Sequence, residues 1–294
     1  MPSSTSRRSA LIGIAAVFAV GRAQAQSSGE APKAFTDRLA ALEKQAGGRL
    51  GVAVLDTSGG NRFAYRGEER FPMCSTYKFL AAAAILARVD VSKERLDRRL
   101  SYGESDLLEY APVTKAHLVE GGMTIEALCA AAIEMSDNTA ANLLLQVIGG
   151  PLGLTAFLRS QGDERTRLDR TEPELNESVP GDDRDTTTPT AMLTSMSRFL
   201  VGEALTPASR TLLQGWMIDC KTGAERLPAS MPNGARIGHK TGSGEHGTSN
   251  DIAIVWRVGR KPVLITTYLT SSPADPSGRD AIIAECGRIA FASL

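Results

Sequence analysis

The chain has 294 residues, of which 42% are hydrophobic and 22% charged, so it can form a core for one large domain or two lobes. Its 33 basic and 33 acidic residues leave no net charge. This balance gives no sign of the clustered lysines and arginines that nucleic acid binding requires. After the N-terminal segment, no apolar run reaches the ~20 residues of a membrane-spanning helix.

Residues 1–25 are typical of a secretory signal peptide. Arg7 and Arg8 precede a short apolar segment, and Ala23-Gln24-Ala25 is a small-x-small cleavage pattern. The arginine pair also resembles a twin-arginine signal. The alternative is an uncleaved membrane anchor, for which the apolar run is short. Cleavage would remove three arginines and no acid, so 33 basic against 33 acidic residues become 30 against 33, near −3. We therefore expect an exported protein, periplasmic or secreted, with no membrane span after cleavage.

The first part of the mature chain predicts a helix and a hairpin. Residues 26–33 are small and polar, which indicates a disordered leader. Ala34–Gln45 has apolar residues at helical spacing. Leu50–Leu55 is typical of a strand, and the turn Asp56–Gly60 leads to a hairpin partner at Phe63–Tyr65.

The middle of the chain predicts helices. Thr124 can cap a helix with an apolar stripe, and a second helix is expected from about Thr139 to Gly149-Gly150-Pro151. Thr188 and Thr206 each precede a proline, which is an N-cap followed by proline in the first turn. A long non-periodic stretch, residues 161–187, separates these groups of helices, and loops of this length in compact domains are usually functional.

The C-terminal part returns to strands. Ile252–Trp256 and Val263–Tyr268 are rich in β-branched residues, and Asp280–Ala292 predicts a last helix. Strands at both ends with helices between them favour an α+β architecture, in which helices flank an antiparallel sheet and an all-helical lobe is inserted. A small-molecule site is expected in the cleft between the lobes. The predicted boundaries are a domain over 34–294, an α/β lobe over 34–70 and 221–294, and a helical lobe over 71–220 with an active-site loop at 167–187.

Ser75 and Lys78 are the first candidate reactive pair. Residues three apart share a helix face with ~4.5 Å of rise, so the Lys78 amine could hydrogen-bond the Ser75 hydroxyl. The apolar run that follows would desolvate the amine and favour its neutral form, which places a base beside a nucleophile. Taken alone, a capping serine and a snorkelling lysine explain the pair equally well.

Three further motifs change that interpretation. Ser136-Asp137-Asn138 follows a predicted helix, Lys240-Thr241-Gly242 precedes a predicted strand, and Glu172–Asn176 (EPELN) lies in the non-periodic stretch. S-x-x-K, S-D-N and K-T-G in this order resemble the motifs of class A β-lactamases and penicillin-binding proteins. The EPELN segment narrows the resemblance to class A serine β-lactamases. The resemblance covers essentially the whole mature chain.

The resemblance implies an α+β fold of the β-lactamase/transpeptidase type. It also implies hydrolysis of the β-lactam amide of penicillins and cephalosporins through a serine acyl-enzyme, which confers antibiotic resistance. Such an enzyme acts on a small-molecule β-lactam, needs no cofactor or metal, binds no nucleic acid and is expected to be a monomer. Its substrate spectrum does not follow from these motifs.

The catalytic roles that the resemblance implies fall on four positions. Ser75 is the nucleophile, and Lys78 and Glu172 are both candidates for the base of acylation. Ser136 relays a proton to the leaving lactam nitrogen. Glu172 activates the water of deacylation, which it would hold together with Asn176. The oxyanion hole would be formed by backbone N–H groups, including that of Ser75.

The same resemblance implies a substrate-binding set and a structural pair. Arg170 and Asp185 would form a salt bridge that closes the active-site loop and supports Glu172. The residues implied to contact substrate or its water are Asn138, Asn176, Lys240, Thr241, Gly242, Ser243, Tyr110 and Arg226.

The sequence departs from the family pattern in three respects. Ser249 stands where many relatives carry an arginine for the substrate carboxylate, and Arg226 is the expected substitute, with a solvated surface arginine as the alternative. Some relatives have a disulfide at the position of Cys129, but its partner position here is Ala82, so we expect a buried free thiol. No cysteine follows K-T-G to pair with Cys74, as it does in many carbapenem-hydrolysing members.

The four cysteines are Cys74, Cys129, Cys220 and Cys286, an even number that permits two disulfides without selecting a pair. Neither C-x-x-C nor H-x-x-x-H occurs, so a zinc site is poorly supported. Two rival functions remain: a penicillin-binding peptidase and a β-lactam sensor that stays acylated. Both normally lack the glutamate of the EPELN segment, and a sensor also needs a transmembrane segment.

Overall fold

The computed structural model describes Met1 and residues 32–294. The predicted signal peptide, its cleavage site and most of the leader lie outside the described residues. At the end of the predicted leader, Lys33 already belongs to the first helix. The helices are α1 (Lys33–Ala46), α2 (Tyr77–Asp90), α3 (Pro112–Ala116), α4 (Ile125–Glu134), α5 (Asn138–Ile148), α6 (Gly150–Ser160), α7 (Pro189–Met196), α8 (Pro207–Ile218) and α9 (Pro276–Ala292). The strands are β1 (Arg49–Asp56), β2 (Asn61–Tyr65), β3 (Phe71–Pro72), β4 (Arg99–Ser101), β5 (Gly122–Thr124), β6 (Thr186–Thr187), β7 (Arg236–Gly244), β8 (Thr248–Trp256) and β9 (Val263–Thr270).

A five-stranded antiparallel sheet joins the two ends of the described chain. Its order is β2-β1-β9-β8-β7, so β1 pairs with β2 on one side and with β9 on the other. The predicted hairpin and the α+β architecture are confirmed. Because side chains alternate across a strand, Val52 and Val54 face one core, and Ala53 and Leu55 face the other.

Helices cover both faces of the sheet. The core that contains Val52 and Val54 is completed by Phe35 of α1 and Ile283 of α9. The other face packs against the helices that lie between β3 and β7 in the sequence. Among these, α2 is apolar on all sides, and its residues from Tyr77 to Leu86 are buried, as expected for a helix at the centre of a lobe. Lys78 in the first turn of α2 is therefore fixed inside the molecule.

Several helix starts agree with the sequence and some boundaries do not. Thr124, Thr188 and Thr206 each accept a backbone N–H in the first helical turn, as predicted. The sequence did not predict α6, because Gly149-Gly150-Pro151 has the composition of a helix stop. In the structure Gly149 ends α5 with φ 91°, and the proline begins the next helix. The last helix starts before Asp280, at Pro276, where the Asp275 side chain caps it.

The predicted long loop is a loop in the structure. Its only helical turn within residues 161–185, all of which are described, is the 3₁₀ turn Glu174–Asn176. The loop ends in β6, which pairs with β3 just before the nucleophile turn. In the part of the chain that is described, no single helix is long and apolar enough to cross a membrane, while α5 and α6 together meet that test by length and composition across a 66° bend.

Candidate active site

Ser75 lies in a 3₁₀ turn, Cys74–Thr76, that leads directly into α2. This turn packs closely against β7, where a Cβ added at Gly242 would lie 2.7 Å from the Met73 carbonyl oxygen. Only a residue without a side chain permits that approach. The K-T-G motif therefore lies within β7, a strand that the sequence did not predict, and precedes β8, which contains the predicted strand Ile252–Trp256. Its glycine brings the strand edge to the serine.

Lys78 is completely buried, and its ammonium contacts three groups other than Ser75. Nζ donates to the Ser136 carbonyl oxygen at 2.8 Å and to Asn138 Oδ1 at 2.6 Å, and it lies 3.0 Å from Glu172 Oε1. Burial lowers the pKa of Lys78, and the charge of Glu172 opposes that shift. The expected Lys78–Ser75 hydrogen bond is not among the contacts of these two described residues, because these partners draw the amine away. Ser75 Oγ instead donates to Glu172 Oε1 at 3.3 Å.

Glu172 is 2% exposed and connects the loop to the nucleophile. Its Oε1 atom faces Ser75 and Lys78, and its Oε2 accepts from Asn176 Nδ2 at 2.5 Å. The Glu172–Pro173 peptide bond is cis. Asn142 of α5 holds the backbone of Glu172 by two hydrogen bonds, at 2.9 and 3.0 Å. Sequence reasoning missed Asn142, whose only signal is its position one helical turn after Asn138.

Arg170 and Asp185 form the ion pair that was expected to close the loop. Arg170 Nε lies 2.6 Å from Asp185 Oδ2, and the Asp185 side chain is 1% exposed. The other oxygen, Oδ1, accepts the backbone N–H groups of Asp169 and Arg170 at 2.8 and 2.9 Å. The Asp185 carbonyl accepts the Met73 N–H at 2.9 Å, so the loop is attached to the nucleophile turn.

Ser136 lies between two buried lysines. Lys240 Nζ donates to Ser136 Oγ at 3.0 Å, and Lys78 Nζ lies 3.4 Å from the same oxygen. Ser136 has φ 56°, and Asp137 caps α5 and also accepts from Thr114, which fixes this turn. Burial lowers the pKa of Lys240 to about 7, and the neighbouring positive charge of Lys78 adds to the shift. The hydroxyl is therefore held where a proton can pass to or from it.

A cleft of about 290 Å³ opens above these groups. Tyr110 at its rim is 49% exposed, whereas the buried Lys78, Glu172 and Lys240 side chains lie beneath it. Two lining residues, Thr222 and Gly223, were not predicted from the sequence. The predicted residues that line the cleft are Ser75, Tyr110, Ser136, Asn138, Asn176, Arg226, Thr241, Gly242 and Ser243.

Arg226 is buried at the edge of the cleft and is not a solvated surface residue. Its guanidinium donates to Ser243 Oγ at 2.8 Å, to the carbonyl oxygens of Gly242 and Asn250, and to Asp280. Ser249 accepts from Arg279 Nε at 3.2 Å, which brings a second guanidinium near this end of β7 and β8. Arg279 lies in the first turn of α9, far along the sequence, and no motif signals its presence here.

The cysteines do not pair. All four lie in the described part of the chain and are free, and Cys129 is buried as predicted. Among the described residues, no group of three or more His, Cys, Asp and Glu side chains is arranged to hold a metal ion.

The comparisons with known proteins agree with this geometry. The β-lactamase enzyme family model matches residues 34–294. The chain is 43% identical over 261 residues to β-lactamase OXY-2 of Klebsiella oxytoca, covering 89% of this chain and 90% of that protein. It is 46% identical over 252 residues to β-lactamase CTX-M-8 of Citrobacter amalonaticus, covering 86% of each.

Solved structures give the same result. The class A β-lactamase of the last common ancestor of Gram-negative bacteria (GNCA4) superposes with a TM-score of 0.87 and is 60% identical, covering 88% of this chain and 99% of that one. Because the family model and these relatives span nearly all of the described residues, the chain belongs to the β-lactamase enzyme family, in class A.

Proposed function

We propose that this protein hydrolyses the amide bond of penicillins and cephalosporins through a Ser75 acyl-enzyme and so confers resistance to them. One observation carries the proposal: a single buried carboxylate, Glu172, contacts the Ser75 hydroxyl, the Lys78 amine and the Asn176 amide. This arrangement can both activate a nucleophile and activate a water that attacks the same centre afterwards.

For acylation, we assign the proton of the Ser75 hydroxyl to Glu172. Ser75 Oγ donates to Glu172 Oε1, whereas the Lys78 amine is directed at Ser136 and Asn138. Lys78 then acts beside this pair, since its lowered pKa suits it to exchange protons between Glu172 and Ser136. The backbone N–H groups of Ser75 and Ser243 would stabilise the oxyanion, a type of contact that is worth about 10²–10³ in rate.

The leaving lactam nitrogen would take its proton from Ser136. Its hydroxyl lies 3.0 Å from Lys240 Nζ and 3.4 Å from Lys78 Nζ, so either amine can replace the proton. The lowered pKa values of both lysines support this relay. The pKa of Lys240, about 7, lies where an amine can both give and accept a proton at neutral pH.

Deacylation would use a water held between Glu172 and Asn176. Asn176 Oδ1 is buried and has no hydrogen-bond partner among the described residues, while its Nδ2 is bonded to Glu172. A buried amide oxygen without a partner costs free energy, and a water that donates to it would remove that cost. Such a water lies next to the carboxylate that must take its proton.

The substrate carboxylate would bind at the Thr241–Ser243 end of the cleft. Thr241 and Ser243 offer hydroxyls, and Arg226 and Lys240 offer positive charge. Asn138 would bind the amide of the substrate side chain, and Tyr110 would contact the substrate at the rim. Burial removes water that would compete for these contacts and strengthens them.

Export to the periplasm or beyond, with cleavage after Ala25, is also proposed, on the strength of the N-terminal sequence pattern. A monomeric state is supported by the exposed large apolar side chains of the described residues, which are few and lie on separate segments (Met1, Val91, Tyr110, Val119, Leu152, Val179 and Val258). The proposed lobes comprise 34–70 with 221–294, and 71–220.

The test is a comparison of two substrates with purified mature protein. We expect sustained hydrolysis of a penicillin and no release of D-alanine from a D-Ala-D-Ala peptide. Replacement of Ser75 by Ala should abolish hydrolysis, while Ser160→Ala, at an exposed serine on α6, should not change it. Peptide cleavage without penicillin turnover would identify a penicillin-binding peptidase instead.

A further inference from the structure

A buried imidazole and a buried carboxylate form an ion pair between β7 and β8. His239 Nδ1 lies 3.0 Å from Asp251 Oδ1 and 3.2 Å from Asp251 Oδ2, and both side chains are buried. Burial lowers the pKa of His239, but the charge and hydrogen bond of Asp251 outweigh burial and raise it to about 10. The pair therefore consists of a positive and a negative charge at neutral pH.

Stability alone does not account for charges at these two positions. Replacing a buried ion pair by apolar side chains of similar volume is often neutral or stabilising, because the charges lose their hydration on burial. Both residues lie on the face of the sheet that carries Ala253 and Val255, which belong to the core beneath α1 and α9. Apolar residues at these positions would extend that core, so the other contacts of the carboxylate become informative.

The second contact of Asp251 is with the backbone of the segment that carries Arg226. Asp251 Oδ2 accepts the Leu227 N–H at 3.2 Å. Over residues 222–231, all of which are described, this N–H is the only backbone group that hydrogen-bonds a residue of the five-stranded sheet. Leu227 begins a 3₁₀ turn, Leu227–Ser230, directly after Arg226. The contact therefore fixes the backbone of Arg226 against β8.

The guanidinium of Arg226 is directed at the same part of the sheet. It donates to the carbonyl oxygens of Gly242 and Asn250 at 2.9 Å each and to Ser243 Oγ at 2.8 Å. Consecutive residues of β8 thus hold the two ends of the arginine, since Asn250 binds the guanidinium and Asp251 binds the backbone. Arg226 and Ser243 line the cleft where the substrate carboxylate is proposed to bind. A shift of the backbone would move the guanidinium away from these partners.

We propose that Asp251 is a positioning residue for recognition of the substrate carboxylate. It acts through the Leu227 N–H, which fixes Arg226, while His239 balances its charge. None of the steps proposed for β-lactam hydrolysis uses Asp251 or His239, so this role deepens the proposed function and rests on it. The ligand group concerned is an anion, which a guanidinium binds best when its geometry is fixed in advance.

The experiment compares benzylpenicillin with its methyl ester, which lacks the anionic carboxylate. The quantity measured is the ratio of kcat/KM for the acid to kcat/KM for the ester, in the wild type and in Asp251→Ala. We expect this ratio to fall about tenfold in the variant, the scale of one lost hydrogen bond to a charged group, mainly through a higher KM for the acid. A general loss of structure would lower both values of kcat/KM and leave the ratio unchanged.

The sign of the change separates positioning from charge. Removing a negative charge close to Arg226 would favour an anionic substrate and raise the ratio, whereas loss of the backbone contact lowers it. Asp251→Asn is the conservative variant that should rescue the ratio. Its amide oxygen can accept the Leu227 N–H, and its amide nitrogen can donate to a neutral His239, so we expect a ratio close to that of the wild type.

Thr267→Val is the matched control. The Thr267 hydroxyl is buried in β9 and donates to the Asp251 carbonyl oxygen at 2.8 Å, so this variant loses a hydrogen bond at the same residue of β8 but keeps the Leu227 contact. Its ratio should equal that of the wild type. If Asp251→Ala does not fold, the double variant His239→Leu, Asp251→Val removes the same contact without a change in net charge, and it should show the same fall.

An unchanged or higher ratio in Asp251→Ala, or in the double variant used in its place, would overturn the proposal. A fall of similar size in Thr267→Val or in Asp251→Asn would also overturn it, because both variants keep an acceptor for the Leu227 N–H. If the wild type hydrolysed no benzylpenicillin, the proposed function would fail and this role with it. Normal wild-type turnover with an unchanged ratio in Asp251→Ala would refute only the role of Asp251.

Discussion

Asp185 is the residue whose replacement tests most sharply how the fold supports Glu172. Its carboxylate is 1% exposed, pairs with Arg170 Nε through one oxygen, and accepts two backbone N–H groups through the other. Asp185→Asn preserves the shape, and asparagine also tolerates the positive φ of 57° at this position. If the amide oxygen keeps the two backbone contacts, the amide nitrogen must face the donor Nε of Arg170 across 2.6 Å.

The magnitude follows from this mismatch. Removing one partner of a buried ion pair costs about 3–5 kcal/mol, and a lost hydrogen bond to a charged group costs about 1.5–3 kcal/mol. Arg170 keeps 16% of its side-chain surface and also contacts Glu177, so it regains some solvation and keeps one anionic partner. We therefore expect Asp185→Asn to lower the free energy of unfolding by about 2–4 kcal/mol.

The assay is urea unfolding at neutral pH, together with the rate of penicillin hydrolysis. Both steps should slow, and deacylation should slow more, because the pair holds the segment that carries Glu172 and Asn176 and only deacylation uses both residues. Asp97→Asn is the control: its carboxylate also pairs with an arginine, Arg95, but the two side chains are 70% and 78% exposed, and no measurable change in stability is expected. Equal unfolding midpoints for the wild type and Asp185→Asn would refute this reasoning.

Three further predictions concern the cleft and the strand behind it. Arg226→Lys keeps the positive charge but cannot reproduce the four hydrogen bonds that the guanidinium donates. The value of kcat/KM for a penicillin should therefore fall about 10- to 100-fold, mainly through a higher KM. An unchanged KM would contradict the role of Arg226 in binding the substrate carboxylate. Gly242→Ala places a Cβ 2.7 Å from the Met73 carbonyl oxygen, so the nucleophile turn must move and kcat, measured by steady-state kinetics, should fall about 10²-fold. Gly215→Ala, in α8 with no atom within 4 Å of the added Cβ, should leave kcat intact. Burial lowers the pKa of His239, but the charge and hydrogen bond of Asp251 outweigh it and raise the pKa from 6.5 to about 10. The folded state therefore binds more protons between those values and loses this stabilisation as the pH rises through about 10. Urea unfolding over that pH range should show the stability difference between wild type and His239→Gln shrinking with pH, and a difference that grew with pH would contradict the assignment.

The sequence was sufficient for the elements whose signals are local. The threonine caps, the hairpin and the apolar α2 each depend on residues within a few positions of one another, and the structure agrees with them. The prediction that the helical segment stops at the glycine pair before Pro151 was incomplete, because the same residues end α5 and begin α6. Only packing decides whether a second helix follows.

In the candidate site too, local motifs could be predicted from the sequence, whereas contacts that depend on packing could not. The motifs indicate which residues lie close together, but not which atoms form hydrogen bonds. The Lys78 amine was expected to hydrogen-bond the Ser75 hydroxyl, and it instead contacts Ser136, Asn138 and Glu172. Asn142 and Arg279 act through contacts with partners distant in sequence, at Glu172 and Ser249. Such contacts depend on how helices and strands pack, and no spacing in the sequence records them.

The measurement that tests the central claim most directly is a stopped-flow experiment with a chromogenic cephalosporin on wild type and Glu172→Ala. The wild type should turn over steadily. The variant should still release one equivalent, more slowly than the wild type, because Lys78 remains as the other candidate base of acylation. It should then stall as an acyl-enzyme, because Asn176 alone cannot deprotonate a water. Steady turnover by the variant would contradict the role of Glu172 in deacylation. A stall in the wild type itself would contradict β-lactam hydrolysis and leave a protein that only becomes acylated.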